Sequence, residues 1–142
     1  AKSTINAYNC TFSSNSIGFY YEEGITKTAI NCLFINNASD ATGAVVDTYC
    51  ASKNGSSAGL NAAGTGNQLN QTFTFESGTD NFAIATGTGV INCGTDDPGA
   101  GLYSTDLSGI VRVSPWDIGA DEYVADATGG YKRRSPMIFR SE

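Results

Sequence analysis

"NAYNCTFSSN" at residues 6–15 and "TAINCLFINN" at residues 28–37 are two copies of one short phrase. Four pairs of identical residues align at one offset of 22 positions: Asn9 with Asn31, Cys10 with Cys32, Phe12 with Phe34, and Asn15 with Asn37. Apolar and polar residues alternate within each copy, as they do in a half-buried β-strand. Self-similarity at a period of this length is typical of a solenoid, in which each unit forms one rung and stacks on the next.

The alternation predicts which side chains face the interior of the coil. Two equivalent sets share the inward face: Tyr8, Cys10 and Phe12 in the first copy, and Ile30, Cys32 and Phe34 in the second. A second echo, "GFYYEE" from Gly18 and "GAVVDT" from Gly43, lies at an offset of 25, so each unit is a strand, a turn, a strand and a turn. Leucine-rich repeats have units of similar length, but their LxxLxL pattern is absent.

The composition agrees with a β-rich fold. Glycine accounts for 17 of 142 residues and charged residues for 15%, whereas a helical bundle would be rich in Ala, Glu, Lys and Leu. A chain of this length forms one domain that can bury a core. Because no apolar run approaches the ~20 residues that span a bilayer, we expect no membrane among its partners.

Several motifs carry a resemblance to a known family. "NCTFSSN" and "NCLFINN" resemble rungs of right-handed parallel β-helix proteins of the pectate-lyase-like type. "INCGTD" from Ile91, "STDLSGIVR" from Ser104 and "WDIGADEY" from Trp116 resemble, in order, the C-terminal segment that closes many such proteins. The resemblance implies an all-β fold: a short right-handed parallel β-helix of about two to three rungs with a β-rich closing segment. Asp121 departs from the pattern, since an aromatic residue is commoner before the Glu.

The chain divides into four predicted segments. Residues 1–50 form the β-helix rungs, residues 51–71 a loop or arm rich in Gly, Ala and Asn, residues 72–124 the closing segment, and residues 125–142 a linker and basic tail. A degenerate third rung is expected around residues 45–52. Because the ends of a short solenoid expose unpaired strand edges, we expect another subunit to cover the N-terminal edge.

The four cysteines do not form a zinc site or a disulfide scaffold. They lie at residues 10, 32, 50 and 93 without CxxC spacing, and the chain has no histidine. Because Cys10 and Cys32 hold equivalent repeat positions, they are predicted to stack in the core as small apolar side chains. A disulfide between them remains the alternative.

Charge is distributed unevenly along the chain. Residues 1–130 hold four basic and thirteen acidic residues, and residues 131–142 hold four basic residues and one acidic residue. Such asymmetry is typical of a tail that meets a partner, and the acidic body argues against nucleic-acid binding. Seven tail residues are predicted to dock on a partner: Lys132, Arg133, Arg134, Met137, Ile138, Phe139 and Arg140. The alternative is a solvated tail.

Two clusters of carboxylates are candidate chemical sites. Asp117, Asp121 and Glu122 could supply an acid–base pair for cleaving sugars, but we expect Asp117 to cap a turn and the other two to be solvated. Asp96 and Asp97 offer too few oxygen atoms for Ca²⁺ and are expected in a turn. We predict no catalytic residue, metal or cofactor, and no enzyme activity.

These expectations combine into a structural function. The chain is predicted to be a virion component, such as a capsid decoration or fibre protein, that associates with other copies of itself or docks on a larger assembly such as a capsid. The start, Ala-Lys-Ser-Thr, suggests synthesis in a cytosol without export. The alternative is a C-terminal adhesion module of a secreted bacterial β-helix protein that binds surface glycans. A polysaccharide lyase is the least favoured function.

Overall fold

The structure, a computed structural model, describes residues 3–20, 24–43, 45–53, 59–75, 83–86, 89–123 and 125. These residues form ten short strands and no helix, and therefore contain no helix that could cross a membrane. The strands are β1 (Thr4–Tyr8), β2 (Thr11–Ser13), β3 (Ile17–Phe19), β4 (Thr26–Ile30), β5 (Leu33–Ile35), β6 (Ser39–Ala41), β7 (Val45–Thr48), β8 (Ala51–Ser52), β9 (Thr74–Phe75) and β10 (Ile84–Thr86).

The first eight strands build three parallel sheets. Sheet 1 has the order β1-β4-β7, sheet 2 has β2-β5-β8, and sheet 3 has β3-β6. The repeat sets the register, since Thr4 pairs with Thr26 and Phe12 with Phe34. One strand from each sheet makes one rung, and β7 and β8 supply the predicted third rung. The all-β fold, a short parallel β-helix of about three rungs, is confirmed.

Residues in the left-handed conformation turn the chain from sheet 1 to sheet 2. They occupy equivalent positions in successive turns of the coil: Asn9 (φ 50°), Asn31 (φ 55°), Tyr49 (φ 51°) and Gly66 (φ 70°). Asn and Gly adopt this conformation at a lower cost than other residues because a short side chain clashes less with the backbone. The repeated Asn of the phrase is therefore the corner of the coil.

This corner overturns one sequence prediction. Ala7 and Ala29 lie in the inner core, so strand alternation directs Tyr8 and Ile30 outward. The Tyr8 ring lies 6.1 Å from the ring of Tyr103 in the closing segment. The inward assignment of Tyr8 and Ile30 was wrong because the left-handed residue interrupts the two-residue period between them and the cysteines.

The predicted ladders of identical side chains are confirmed. Phe34 is fully buried, and its ring stacks on the Phe12 ring with centroids 5.0 Å apart and planes at 18°. Cys32 and Cys50 are also fully buried and Cys10 is half-buried. All four cysteines are free thiols.

A second core lies outside the coil, on the outer face of sheet 2. Its buried members are Leu33, Ile35, Ala51, Phe73, Ile84, Val90 and Ile118. All three residues of β5 are buried, because their two faces pack against the coil interior and the closing segment. Gly119 (φ 120°) sits where an added Cβ would lie 3.3 Å from the Leu33 side chain. The closing segment therefore packs along the flank of the coil.

Part of the predicted loop or arm continues the coil. Ala51 and Ser52 belong to β8, and residues 54–58 lie outside the described residues. Downstream, Gln68 pairs in parallel with Ala51, and Leu60 is 8% exposed in the inner core. Asp47, buried inside the third rung, accepts hydrogen bonds from the Asn61 N–H (2.8 Å) and from the Asn67 amide (2.6 Å). Residues 59–71 thus lie against the third rung.

Candidate functional site

The densest group of charges is a buried ion pair in the closing segment. Arg112 Nη1 lies 3.0 Å from Glu122 Oε2, and both side chains are almost fully buried. Arg112 Nη2 donates to the carbonyl oxygen of Gly119 at 3.0 Å, and the guanidinium lies 5.6 Å from the Trp116 ring centre. Because a buried charge is costly unless it is paired, this geometry fixes how the two motifs meet.

Backbone N–H groups complete the coordination of the Glu122 carboxylate. It accepts hydrogen bonds from Val113 N–H (2.9 Å) and Asp117 N–H (3.1 Å). The N–H of Glu122 in turn donates to Asp106 Oδ2 at 2.9 Å, and Ile110 N–H donates to Asp106 Oδ1 at 2.7 Å. The pattern Asp-x-x-Gly-x-x-Arg, at residues 106–112, therefore forms a turn that places Arg112 beside Glu122. We call Asp106, Arg112, Asp117 and Glu122 the closing lock.

Asp117 makes the same kind of contact. Its carboxylate accepts hydrogen bonds from Asn92 N–H at 2.6 Å and from Tyr123 N–H, so it caps backbone as expected. Burial raises the pKa of Asp117 and the pKa of Glu122, although hydrogen bonds to both carboxylates act in the opposite direction. Each of these carboxylates accepts hydrogen bonds from backbone N–H groups of the closing segment, and this arrangement stabilises the fold.

The prediction that Asp121 and Glu122 are solvated was wrong. Asp121 is 4% exposed and Glu122 is 2% exposed. Asp121 Oδ1 accepts a hydrogen bond from Ser108 Oγ at 3.2 Å. Both residues are buried because the turn after Trp116 folds back over Arg112. The Arg112–Glu122 ion pair joins residues that are 10 apart in sequence, and nothing in the local sequence pattern reveals it.

Asp96 and Asp97 lie in a turn, as expected. Asp96 accepts hydrogen bonds from Ser114 Oγ at 2.6 Å and from Trp116 N–H at 3.3 Å. Asp97 has φ 43°, and its carboxylate accepts a hydrogen bond from Gly101 N–H. Within the described part of the chain, no group of three or more His, Cys, Asp or Glu residues is arranged to hold a metal ion.

The corner asparagines hold the closing segment against the coil. Asn31 Nδ2 donates to Asn9 Oδ1 at 3.0 Å and to the carbonyl oxygen of Thr95 at 2.7 Å, while Thr95 N–H donates to Asn31 Oδ1 at 2.8 Å. In the first rung, the Asn9 Nδ2 atom is buried and has no hydrogen-bond partner among the described residues. The ladder of corner amides therefore ends at Asn9 with an unmatched donor.

A charged residue inside the coil was not anticipated from the sequence. Lys27 is fully buried in β4, its Nζ donates to the carbonyl oxygen of Thr42, and it lies 5.7 Å from the Phe19 ring centre. Burial lowers the pKa of Lys27. The sequence does carry a sign of this burial. Lys27 and Ala29 alternate with outward threonines, so Lys27 lies on the same inward face of β4 as Ala29.

The first rung presents the open side of all three sheets. Among the described residues, β1, β2 and β3 are each at the edge of their sheet. Thr26 N–H donates to Ser3 O at 3.1 Å and Asn9 N–H donates to Ile30 O at 3.1 Å. Because hydrogen-bonding direction alternates along a strand, the N–H and C=O groups of Thr4 and Asn6 point away from β4. We call β1, β2 and β3 together the open edge.

The closing segment adds an exposed apolar surface. A β-bridge joins Thr105 to Val111, and Asp106 N–H donates to Ile110 O at 2.8 Å, so the chain reverses between them. Five large apolar side chains in this region are exposed: Leu102, Tyr103, Leu107, Val111 and Val113. Val111 and Val113 alternate with buried Arg112, and therefore share the outer face of this hairpin.

The seven predicted docking residues of the tail, Lys132 to Arg140, lie outside the described residues. Their assignment stays a prediction. Comparison of the chain with family models, curated proteins and solved structures finds no match. The geometry of the described residues is therefore the basis for a functional assignment.

Proposed function

We propose that this protein is a non-catalytic structural protein that assembles when a second copy of the chain adds strands to its open edge. The observation that carries this proposal is the position of β1, β2 and β3 at the edges of their sheets, all on the first rung. An edge strand offers a row of N–H and C=O groups, and β-strand addition uses them to bind another chain.

The sequence of the open edge supports strand addition. Proteins that protect an edge place charged residues, proline or bulges on it. The three edge strands read "TINAY", "TFS" and "IGF", with neither a charge nor a proline.

The interior of the first rung also favours a neighbouring chain. Phe12 and Cys10 are half-buried, whereas the equivalent Phe34 and Cys32 of the second rung are fully buried. Ile5, which precedes them on the inner face, is 42% exposed. A further layer would bury this apolar surface and would offer acceptors to the unmatched Asn9 amide.

The basic tail is proposed to strengthen the same assembly. Lys132, Arg133, Arg134 and Arg140 would pair with the acidic body of a neighbouring copy, and Met137, Ile138 and Phe139 would bind an apolar surface. The proposed setting is a virion or extracellular assembly, in which the protein decorates a capsid or forms part of a fibre. The relationship to the pectate-lyase-like β-helix proteins, including the right-handed coil, is part of this proposal.

The test compares two substitutions at one edge residue. Asn6 is exposed, and its N–H points away from β4, so Asn6→Pro removes a hydrogen bond that only an added strand can make. Asn6→Ala keeps that N–H and serves as the matched control. Sedimentation should show assembly of the wild type and Asn6→Ala, and loss of assembly in Asn6→Pro with an unchanged circular dichroism spectrum.

The same series tests the tail. A chain that ends at residue 130 should stay folded and assemble more weakly, and added salt should reproduce part of that loss because exposed charges are screened within ~8–10 Å at 0.1–0.15 M. A wild type that stays monomeric at every concentration would contradict the proposal and would favour the glycan-binding alternative. Equal assembly of the truncated and intact chains would leave the tail without a docking role.

A further inference from the structure

Three cysteine thiols form a ladder inside the coil. Cys10, Cys32 and Cys50 follow the corner residue of successive rungs and belong to one apolar cluster. Leu33 N–H donates to Cys10 O at 2.8 Å, and Ala51 N–H donates to Cys32 O at 3.0 Å, so each cysteine lies one strand spacing from the next. That spacing, about 4.8 Å, lies within the Cα–Cα range of a disulfide.

Cys10 and Cys32 differ in access and in acidity. Cys10 is half-buried in the first rung, whereas Cys32 and Cys50 are fully buried beneath it. A hydrogen bond from the Cys32 thiol lowers the pKa of Cys10 to about 7. Burial raises the pKa of Cys32 well above its ordinary value. Of Cys10 and Cys32, the more accessible thiol is therefore also the more acidic one, and thiolate is the reactive form.

We propose that Cys10 and Cys32 are an oxidisable pair, in which a hydroperoxide oxidises Cys10 and Cys32 then closes a disulfide between the first and second rungs. The Cys10 thiolate attacks the hydroperoxide, so an S–O bond forms, the O–O bond breaks, and the departing oxygen leaves as water or an alcohol after protonation. The Cys32 sulfur then attacks the Cys10 sulfenic acid: the S–S bond forms, the S–O bond breaks, and water leaves with the Cys32 proton. The two thiols supply the two electrons that reduce the hydroperoxide.

The disulfide would act on the first rung, whose strands each pair with only one other strand in the described part of the chain. It would join the two ends of the first repeat unit, residues 10 and 32, and so restrict how the first rung can separate from the second. The proposal depends on the cysteine ladder alone and is independent of whether the open edge assembles.

The experiment uses peptide mapping of the folded protein with hydrogen peroxide as the oxidant. One sample is oxidised and a parallel sample is not; the free thiols of both are then blocked with N-ethylmaleimide, and the chains are cleaved with trypsin. Because cleavage follows Lys2, Lys27 and Lys53, Cys10 lies in the peptide of residues 3–27, and Cys32 and Cys50 lie together in residues 28–53. Oxidation should link these two peptides within one molecule, and fragment spectra should place the bond at Cys32.

Two variants and three competing outcomes sharpen the result. The link should persist in Cys50→Ala and be lost in Cys32→Ala, in which dimedone should capture a sulfenic acid on Cys10. Wild-type fragment spectra locate the bond even if a core variant does not fold. A Cys10 that stays fully alkylatable after oxidation, a bond between Cys32 and Cys50, or a link found only between molecules would overturn the proposal.

Discussion

At the scale of single residues, Asn31 combines two properties that are usually separate. It takes the left-handed conformation that turns the coil (φ 55°), and its amide binds both Asn9 and Thr95. Glycine could supply the first property, whereas the carboxamide also supplies a donor and an acceptor. The repeated Asn is therefore a backbone corner and also a docking point for the closing segment.

Two substitutions at residue 31 should separate these contributions. Asn31→Gly keeps the conformation and leaves the Thr95 N–H unsatisfied, which should lower the free energy of unfolding by about 1–3 kcal/mol. Asn31→Ala should cost about 1–2 kcal/mol more, because alanine is strained in the left-handed region. Urea unfolding of the three proteins measures both differences. Equal stability of the Gly and Ala variants would contradict the assignment of Asn31 as a strained corner.

At the scale of elements, the closing lock joins two motifs that are separate in sequence. Glu122 accepts hydrogen bonds from Arg112, Val113 and Asp117. The order of the motifs predicted a closing segment, but the sequence did not reveal its position on the flank of sheet 2. That position depends on packing between Leu33 and Ile118, far apart along the chain, and local alternation carries no information about such a contact.

The rungs could be predicted in more detail than the closing lock. Strand register between the first and second rungs follows from the offset of 22, because a parallel coil places repeats over one another. The prediction that Tyr8 faces inward was wrong, because a left-handed residue at the corner reverses the strand alternation. The burial of Asp121 and Glu122 was missed because carboxylates are usually solvated unless a partner compensates for their desolvation. For Glu122 that partner is Arg112, and their pairing becomes visible only in three dimensions.

The closing lock predicts how stability depends on pH. Burial raises the pKa of Asp117 and of Glu122 above their ordinary values of 3.8 and 4.5. The folded state therefore holds these protons to a higher pH than the unfolded state, so their stabilising contribution is present below about pH 4 and is lost as the pH rises through the folded pKa values. The midpoint temperature of wild-type thermal unfolding should therefore fall as the pH rises from 4 to 7.

Asp117→Asn is the control for that dependence, because the variant removes one titrating group. Its unfolding midpoint should decline less steeply than that of wild type over the same pH range. Net charge affects both proteins, so the difference between their slopes isolates Asp117. A steeper decline in Asp117→Asn would show that the sign of the assigned pKa shift is wrong.

At the scale of the whole molecule, the coil packs on one flank against the closing segment, and among the described residues its first rung lies at the edge of all three parallel sheets. Sheet 2 packs against the closing segment, and residues 59–71 lie against the third rung. The open edge offers unused backbone hydrogen-bonding groups on one strand of each of the three parallel sheets. A solenoid buries its inward surface only by stacking, so this end is where an added chain would stabilise the molecule most.

Amide hydrogen exchange along β1 tests the proposed assembly most directly. The N–H groups of Thr4 and Asn6 point away from β4, and those of Ile5 and Ala7 point towards it, so one strand holds both probes and controls. Assembly through the open edge predicts that the N–H groups of Thr4 and Asn6 exchange fast in dilute solution and become protected as protein concentration rises, while those of Ile5 and Ala7 change little. Fast exchange of Thr4 and Asn6 at concentrations where the protein has assembled would contradict assembly through the open edge.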